Sequence, residues 1–124
     1  GVSLWGIDEG AQGPDLYRYL VGKLDALGLA YVHLMHQGDE SLLADIRKRW
    51  STALILNRPG KERTHVGSDV AAGLADMESF GQMILANPDF VERISRNAAL
   101  NEADRMTFFG GGEAGYTDYP ALAS

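Results

Sequence analysis

Short apolar runs alternate with amphipathic stretches along this chain, and the alternation predicts the order of its elements. Four apolar runs are short enough to be strands: Gly1–Trp5, Leu29–His36, Thr52–Asn57 and Met77–Phe80. Helical periodicity fills the stretches between them. Strands separated by helices are typical of a parallel sheet with right-handed crossovers.

Four stretches carry the spacing of amphipathic helices, and the first is bounded by Pro14 and Gly28. Its leucines at positions 16, 20, 24 and 27 predict one buried stripe. Asp39 or Ser41 is expected to cap the second helix. The predicted helices are Asp15–Leu27, Ser41–Trp50, Thr64–Ala75 and Phe90–Arg96.

The resulting order is β-α-β-α-β-α-β-α followed by a glycine-rich tail. The pattern alone fits half of a (β/α)8 barrel or a small doubly wound α/β domain. The length of 124 residues predicts a single domain over 1–124. Half of a barrel leaves two open sheet edges and an unfilled interior, so we expect such a chain to associate with a second copy or with a complementary half.

Composition excludes several classes of function. The net charge of −6 argues against a nucleic-acid groove, which needs a basic surface. The chain has no cysteine, and its three histidines lack the spacing of a metal motif, so no metal site is predicted. No apolar run is long enough to span a bilayer. We therefore expect a cytoplasmic protein without a membrane or nucleic-acid partner.

The candidate chemistry lies after the last two predicted strands. In (β/α)8 barrels a phosphate site commonly forms from the loops after strands seven and eight. Those loops here are residues 57–63 and 81–83, and the first carries the cations Arg58, Lys61 and Arg63. Asn57-Arg-Pro-Gly60 is also an ordinary turn sequence. Elsewhere, we expect His36 to be a hydrogen-bonded structural histidine, and Asp76 and Glu78 to have structural or interface roles.

Two blocks resemble the old yellow enzyme family of FMN-dependent ene reductases. The first runs Ala75-Asp-Met-Glu-Ser-Phe-Gly-Gln-Met-Ile-Leu-Ala-Asn-Pro-Asp-Phe-Val-Glu-Arg93, and the second is the tail from Asn101 to Pro120 with Phe108-Phe109, a triple glycine and Tyr-Thr-Asp-Tyr-Pro. The resemblance implies the C-terminal (β/α)4 half of a TIM (β/α)8 barrel with a Gly-rich C-terminal tail. We expect the N-terminal half of such a barrel to lie outside this chain.

The resemblance also implies a set of cofactor-binding positions. The family's phosphate-binding arginine after Phe-Gly is Gln82 here, and its flavin-contacting arginine falls at Ser3. The family's Gly-Gly loop is Arg58-Pro59-Gly60, and its Phe-Tyr pair is Phe108-Phe109. The expected FMN contacts, with weakened phosphate binding, are at Ser3, Asn57, Arg58, Gly60, Gly81, Gln82, Phe108 and Phe109.

The implied reaction is hydride transfer from NAD(P)H through FMN to an activated alkene such as an enone. It would need an N-terminal half, which in the family carries the substrate-holding and proton-donating residues, so the catalytic residues of this chain are unknown. The alternative is a non-catalytic half barrel that has lost FMN and self-associates as a structural or interaction protein.

Overall fold

A computed structural model describes residues 6–123 of the chain. The predicted strand Gly1–Trp5, and with it Ser3, lies outside the described residues. Three strands form a parallel sheet in the order β1-β2-β3. They are β1 Tyr31–Met35, β2 Ala53–Asn57 and β3 Met77–Glu78.

The strand register explains why the sequence folds this way. Tyr31 pairs with Ala53 and Met35 with Asn57, so β1 and β2 run side by side over their whole length. Beyond β1, the backbone N–H of His36 still donates to the Asn57 carbonyl at 2.9 Å. The predicted strands at 29–36 and 52–57 are therefore confirmed, whereas β3 is shorter than the predicted Met77–Phe80.

One helix precedes β1 and a second connects β1 to β2. They are α1 Gly13–Asp25, which begins with Pro14, and α2 Glu40–Arg49, whose cap is Asp39. The Asp39 carboxylate accepts from the Leu42 N–H at 3.0 Å, as expected of a capping aspartate. The last turn of α2 is basic and so complements the negative helix end. Arg18 of α1 donates to Asp45 of α2 at 2.9 Å, which ties the two helices together.

The core lies between this sheet and the helices. Leu54 and Leu56 of β2 point inward with Leu34 of β1, and period-two alternation along β2 leaves its other residues half-buried. The Trp50 indole N–H donates to the Ala53 carbonyl at 2.9 Å, which satisfies its one polar atom inside the core. The buried cluster comprises Val21, Leu34, Leu42, Leu43, Ile46, Trp50, Leu54, Leu56 and Ala75.

The predicted buried stripe of α1 is wrong, although the helix itself is confirmed. Leu16, Leu20 and Leu27 are exposed, at 58%, 44% and 69%, and only Leu24 packs against the core. Val21 is buried instead, and Tyr17 contacts the core beside it. At 100° per residue, the exposed leucines lie about a quarter turn around the helix from the residues that face the core. The apolar face of α1 is therefore wider than the part that the core covers.

The predicted helix over Thr64–Ala75 is also wrong in extent. It consists of a 3-10 turn at Arg63–His65 and a short helix, α3, at Ser68–Ala71. Gly67 separates them with φ of +84°, a backbone conformation outside the helical range. The Val66, Val70 and Leu74 spacing therefore does not define one helix face.

Residues 80–123 form a second compact unit built around α4 Gln82–Ala86 and α5 Phe90–Ser95. The Phe90 start was predicted, whereas α4 was not. Buried Asn87 exchanges hydrogen bonds with Asn101, and buried Arg93 donates to the carbonyls of Ala99 and Pro120 at 2.7 Å. These contacts attach the tail, including its 3-10 turn Arg105–Thr107, to α4 and α5.

The contacts within the chain thus group residues up to Ser79 into one unit and Phe80 onward into another. A single domain over 1–124 stays a prediction. Among the described residues, no helix is both long and apolar enough to cross a membrane.

Candidate functional site

Two loops meet at the carboxyl ends of β1 and β2. The first, residues 36–39, leads from β1 into α2, and the second, residues 58–62, follows β2. Because the strands are parallel and in register, both loops leave the sheet at the same edge. This is the edge at which ligands bind in open parallel sheets and barrels.

Arg58 lies at the centre of the second loop and is held by two carboxylates. Its guanidinium binds Glu40 of α2 through two parallel hydrogen bonds of 2.7 and 2.8 Å. Three further contacts of 2.9–3.0 Å reach Asp69 of α3. The two acids raise the pKa of Arg58, first through the Glu40 hydrogen bonds and then through those of Asp69.

Lys61 extends the same network into the interior. Its ammonium donates to Asp69 at 2.8 Å and to Glu78 of β3 at 2.7 Å, and all three side chains are at least nine-tenths buried. Glu78 also accepts from the backbone N–H groups of Gly67 and Asp69. We call Glu40, Arg58, Lys61, Asp69 and Glu78 the ion network.

The ion network keeps its acids ionised despite burial. Burial raises the pKa of Asp69, but the hydrogen bonds from Arg58 and Lys61 lower it by more, so the pKa lies below its usual value. In Glu78, likewise, burial is outweighed by Lys61 and the two backbone donors. Two cations face three carboxylates, so the formal charge of the network is −1.

The predicted phosphate contacts at Asn57, Arg58 and Gly60 lie in or next to the ion network, whose cations are already paired. The amide of Asn57 donates to the Ser79 carbonyl at 2.8 Å, and Gly60 stands at the loop tip with φ of +74°. Arg58 and Lys61 both lie in this loop, and both are paired with acids of their own chain. The assignment of the three residues to FMN stays a prediction.

A cleft of about 510 Å³ lies between the two loops. His36 lines it from the β1 side, and Arg58 and Gly60 line it from the β2 side. The imidazole of His36 is only 1% exposed, and neither ring nitrogen has a partner of strict hydrogen-bond geometry among the described residues. Burial lowers the pKa of His36, and a backbone hydrogen bond with Asp39 partly opposes this shift. The expectation of a hydrogen-bonded structural histidine stays a prediction, since the Asp39 backbone contributes to the His36 pKa without meeting the strict geometry.

The other predicted cofactor residues belong to the second unit. Gly81 precedes α4, and Gln82 is its exposed first residue. In the tail, Phe108 is half-buried, while the ring of Phe109 is 93% exposed. An FMN role for these four residues also stays a prediction.

The remaining polar candidates have structural contacts. Asp76 forms two hydrogen bonds with Arg47, at 2.6 and 3.1 Å, and accepts from the Leu54 N–H. The Arg47 hydrogen bonds are the main reason that the pKa of Asp76 is lowered. His33 contacts the Ser79 hydroxyl at 2.7 Å. No group of three or more potential metal ligands occurs within residues 6–123.

Sequence reasoning missed the ion network. Arg58 and Lys61 were predicted as cations of a phosphate-binding loop, and no acid was predicted to pair with them. The available signal was the proximity of acids to a basic loop in a chain with 17 acids and 11 bases. Only the three-dimensional structure shows which acids reach the loop.

The fold and the loops define the class of protein: an α/β chain with parallel strands whose carboxyl ends form the candidate site. No protein-family model matches the chain. Among curated proteins, it is 37% identical over 110 residues to a 12-oxophytodienoate reductase-like protein of Solanum lycopersicum, covering 86% of this chain and 31% of that protein. It is 34% identical to a probable flavin mononucleotide-dependent alkene reductase of Leishmania infantum, covering 93% and 33%.

Solved structures agree with these relatives. Morphinone reductase in complex with tetrahydroNAD is 37% identical and has a TM-score of 0.82, over 94% of this chain and 32% of that one. The old yellow enzyme from Trypanosoma cruzi is 29% identical with a TM-score of 0.80, over 91% and 31%. The chain is thus related to the old yellow enzyme family, and it spans about a third of the length of the relatives that it matches.

Proposed function

We propose that this chain is part of an FMN-dependent oxidoreductase of the old yellow enzyme type. Completed by an N-terminal half barrel, it would contribute to hydride transfer from NAD(P)H through FMN to an activated alkene. The chain itself would form the C-terminal (β/α)4 half of the barrel with its Gly-rich tail. We also retain the prediction of a cytoplasmic location.

One observation carries this proposal: the match in both sequence and fold to proteins of this kind. A relative is named for FMN-dependent alkene reduction, and a structural neighbour holds tetrahydroNAD. Identities of 34–37% extend over more than four-fifths of the chain in each case. Because only about a third of each relative is covered, the activity of the whole protein is part of the proposal.

The described residues fit an FMN phosphate incompletely. The cations Arg58 and Lys61 are committed to the ion network, and Gln82 offers an amide without charge. Flavin, when bound, supplies the hydride chemistry, and the protein supplies binding and orientation. We therefore expect this chain alone to bind FMN weakly and to show no turnover.

A flavin titration tests the cofactor part of the proposal. FMN is titrated into the purified chain, alone and mixed with the N-terminal portion of a relative, and bound flavin is followed by absorbance and fluorescence. Saturable binding in the mixture, with NAD(P)H oxidation in the presence of an enone, supports the proposal. If neither sample binds FMN saturably, the cofactor assignment is wrong.

Substituting Gln82→Arg tests whether α4 begins at the cofactor. A guanidinium that reaches the phosphate would add a charge-assisted hydrogen bond and tighten FMN binding about 10- to 100-fold. Gln12→Arg is the matched control because it adds the same charge at the exposed start of α1. Equal tightening in both variants would indicate a general charge effect and no phosphate contact at Gln82.

The alternative, a self-associating half barrel without flavin, is favoured by a specific observation. The apolar residues Leu16 and Leu20 of α1, and Leu27 in the turn after it, are exposed and do not contribute to the core. Exposed apolar surface of this kind is typical of an interface. This alternative predicts a stable oligomer without flavin absorbance or NAD(P)H oxidation, and light scattering that reports only monomer would contradict it.

A further inference from the structure

The exposed apolar residues of α1 are arranged in one line along the helix. Their spacings of four, three and four residues are those of the contact line in a two-helix coiled coil: Leu16, Leu20, Lys23 and Leu27. The three leucines are all exposed, and Leu27 lies in the turn directly after the helix. We call these four positions the α1 stripe. Its geometry fits one other helix that lies alongside α1.

The charges at the α1 stripe have opposite signs at its two ends. Asp15 belongs to the first turn of α1, and its side chain is 85% exposed although it accepts from Arg18 at 3.0 Å. Lys23 belongs to the last turn, and its ammonium lies 5.3 Å from the centre of the Tyr19 ring. The stripe is therefore acidic at its N-terminal end and basic at its C-terminal end.

This charge pattern is complementary to a reversed copy of itself. In a parallel pair of α1 helices, Asp15 would lie beside Asp15 and Lys23 beside Lys23, and like charges across an interface are unfavourable. An antiparallel pair that crosses near Leu20 brings Asp15 of each copy beside Lys23 of the other. The antiparallel arrangement also places the positive end of one helix dipole next to the negative end of the other.

We propose that two copies of this chain associate through the α1 stripe, with the two α1 helices antiparallel and Asp15 of each copy next to Lys23 of the other. The leucines supply the apolar area, whereas the two exposed ion pairs contribute little affinity and select the orientation. This contact rests on the self-association described above as the alternative function. It requires neither the presence nor the loss of FMN.

Disulfide cross-linking tests the orientation, because the chain has no cysteine of its own. Gln12 caps the start of α1 and Ala26 caps its end, so Gln12→Cys and Ala26→Cys leave the stripe intact. The two single variants are mixed, oxidised and analysed by mass spectrometry. We expect the main product to join one Gln12→Cys chain to one Ala26→Cys chain. Products that mainly join two copies of the same variant would indicate a parallel pair and overturn the proposal.

Charge reversal tests the ion pairs in the chain without cysteine. Asp15→Lys and Lys23→Asp should each weaken self-association about tenfold at low salt, and the double variant should restore it, as measured by sedimentation velocity. Lys48→Asp, at an exposed position in the last turn of α2, makes the same charge change away from the stripe and should leave association unchanged.

Two outcomes of the sedimentation experiment contradict the antiparallel contact. One is a parent chain that stays monomeric at every concentration, and the other is a double variant that associates no better than the single ones. Neither experiment involves flavin. Failure here therefore leaves the oxidoreductase proposal standing, and a failed FMN titration leaves this contact standing.

Discussion

At the scale of single residues, the main finding is that the cations of the loop after β2 are neutralised by acids on α2, α3 and β3. Lys61 is buried with Asp69 on one side and Glu78 on the other, and Arg58 is divided between Asp69 and Glu40. Such a group is costly to desolvate and stays folded only because every member has partners. The loop after β2 is therefore held in one place by charge.

Removing one residue of the ion network should destabilise the fold, because its former partners stay buried without a counter-charge. We expect Lys61→Met to destabilise the protein by about 3–5 kcal/mol, because it leaves Asp69 and Glu78 buried with fewer partners. The free energy of unfolding in urea measures this. The control is Arg96→Met, which breaks the exposed pair with Glu92 and should change stability by less than about 0.5 kcal/mol. Equal effects would mean that burial of the network is unimportant.

The buried His36 predicts a pH dependence of stability. Its pKa in the folded protein lies below the ordinary 6.5, so the unfolded chain binds more protons between these two pKa values. Stability should therefore decrease as pH falls from above 6.5 through the lowered pKa. His36→Leu should flatten this part of the profile of unfolding free energy against pH. A parent profile that is flat from pH 7 to 5 would contradict the assignment.

The sequence identified the candidate residues of this site but did not predict which side chains contact them. Arg58, Lys61 and His36 were all recognised as candidates, because their residue types and their positions after strands are visible in one dimension. The partners of Arg58 and Lys61 are separated from them by 8 to 18 positions and come from α2, α3 and β3. The pairing of acids with bases depends on how the helices and strands pack, and the spacing of residues along the sequence does not show that packing.

At the scale of elements, glycine decides where one predicted helix stops. The pattern over 64–75 is helical, but Gly67 has a left-handed backbone, and its N–H donates to Glu78 at 2.7 Å. The local periodicity was thus overridden by a turn that presents backbone donors to a buried carboxylate. Sequence patterns predicted β1, β2, α1 and α2 well because their apolar runs and caps act locally.

Two glycine substitutions compare a position with positive φ, Gly67, with a position inside a helix, Gly22. A Cβ at either Gly67 or Gly22 would have no heavy atom within 4 Å, so steric contact is not the variable. Gly67→Ala should cost about 1–2 kcal/mol because its φ is +84°. Gly22→Ala, inside α1, should add about 0.5–1 kcal/mol. Thermal unfolding of the two variants checks the opposite signs, and stabilisation by Gly67→Ala would refute the left-handed turn.

At the scale of the whole molecule, the wide apolar face of α1 is the main unexplained surface. Helical spacing predicted that the leucines face inward. Instead, Tyr17, Val21 and Leu24 pack against the core. Leu16, Leu20 and Leu27 are exposed. Periodicity identifies an apolar face, whereas the neighbouring elements determine which part of it is covered. The barrel architecture likewise came from family resemblance, since the pattern alone fitted two folds.

If α1 is an interface, polar substitutions on it should reduce association. We expect the double substitution Leu16→Gln and Leu20→Gln to weaken self-association, or binding to an N-terminal half, by at least about tenfold. Each substitution removes apolar area that the association would bury. Sedimentation velocity over a range of concentrations measures this. The matched control is Ile84→Gln with Val91→Gln, which alters two exposed apolar residues of the second unit. An unchanged oligomer distribution in the α1 variant would exclude this face.

The buried indole of Trp50 has a spectroscopic consequence. The chain has two tryptophans, at positions 5 and 50, and both precede the boundary between the two compact units. Trp50 is 4% exposed and bonded to Ala53, so its emission should be blue-shifted in the folded state and red-shifted when that core opens. Residues 80–124 contain no tryptophan. Tryptophan emission therefore reports on the unit that carries the sheet, and loss of structure around the tail would not change it directly.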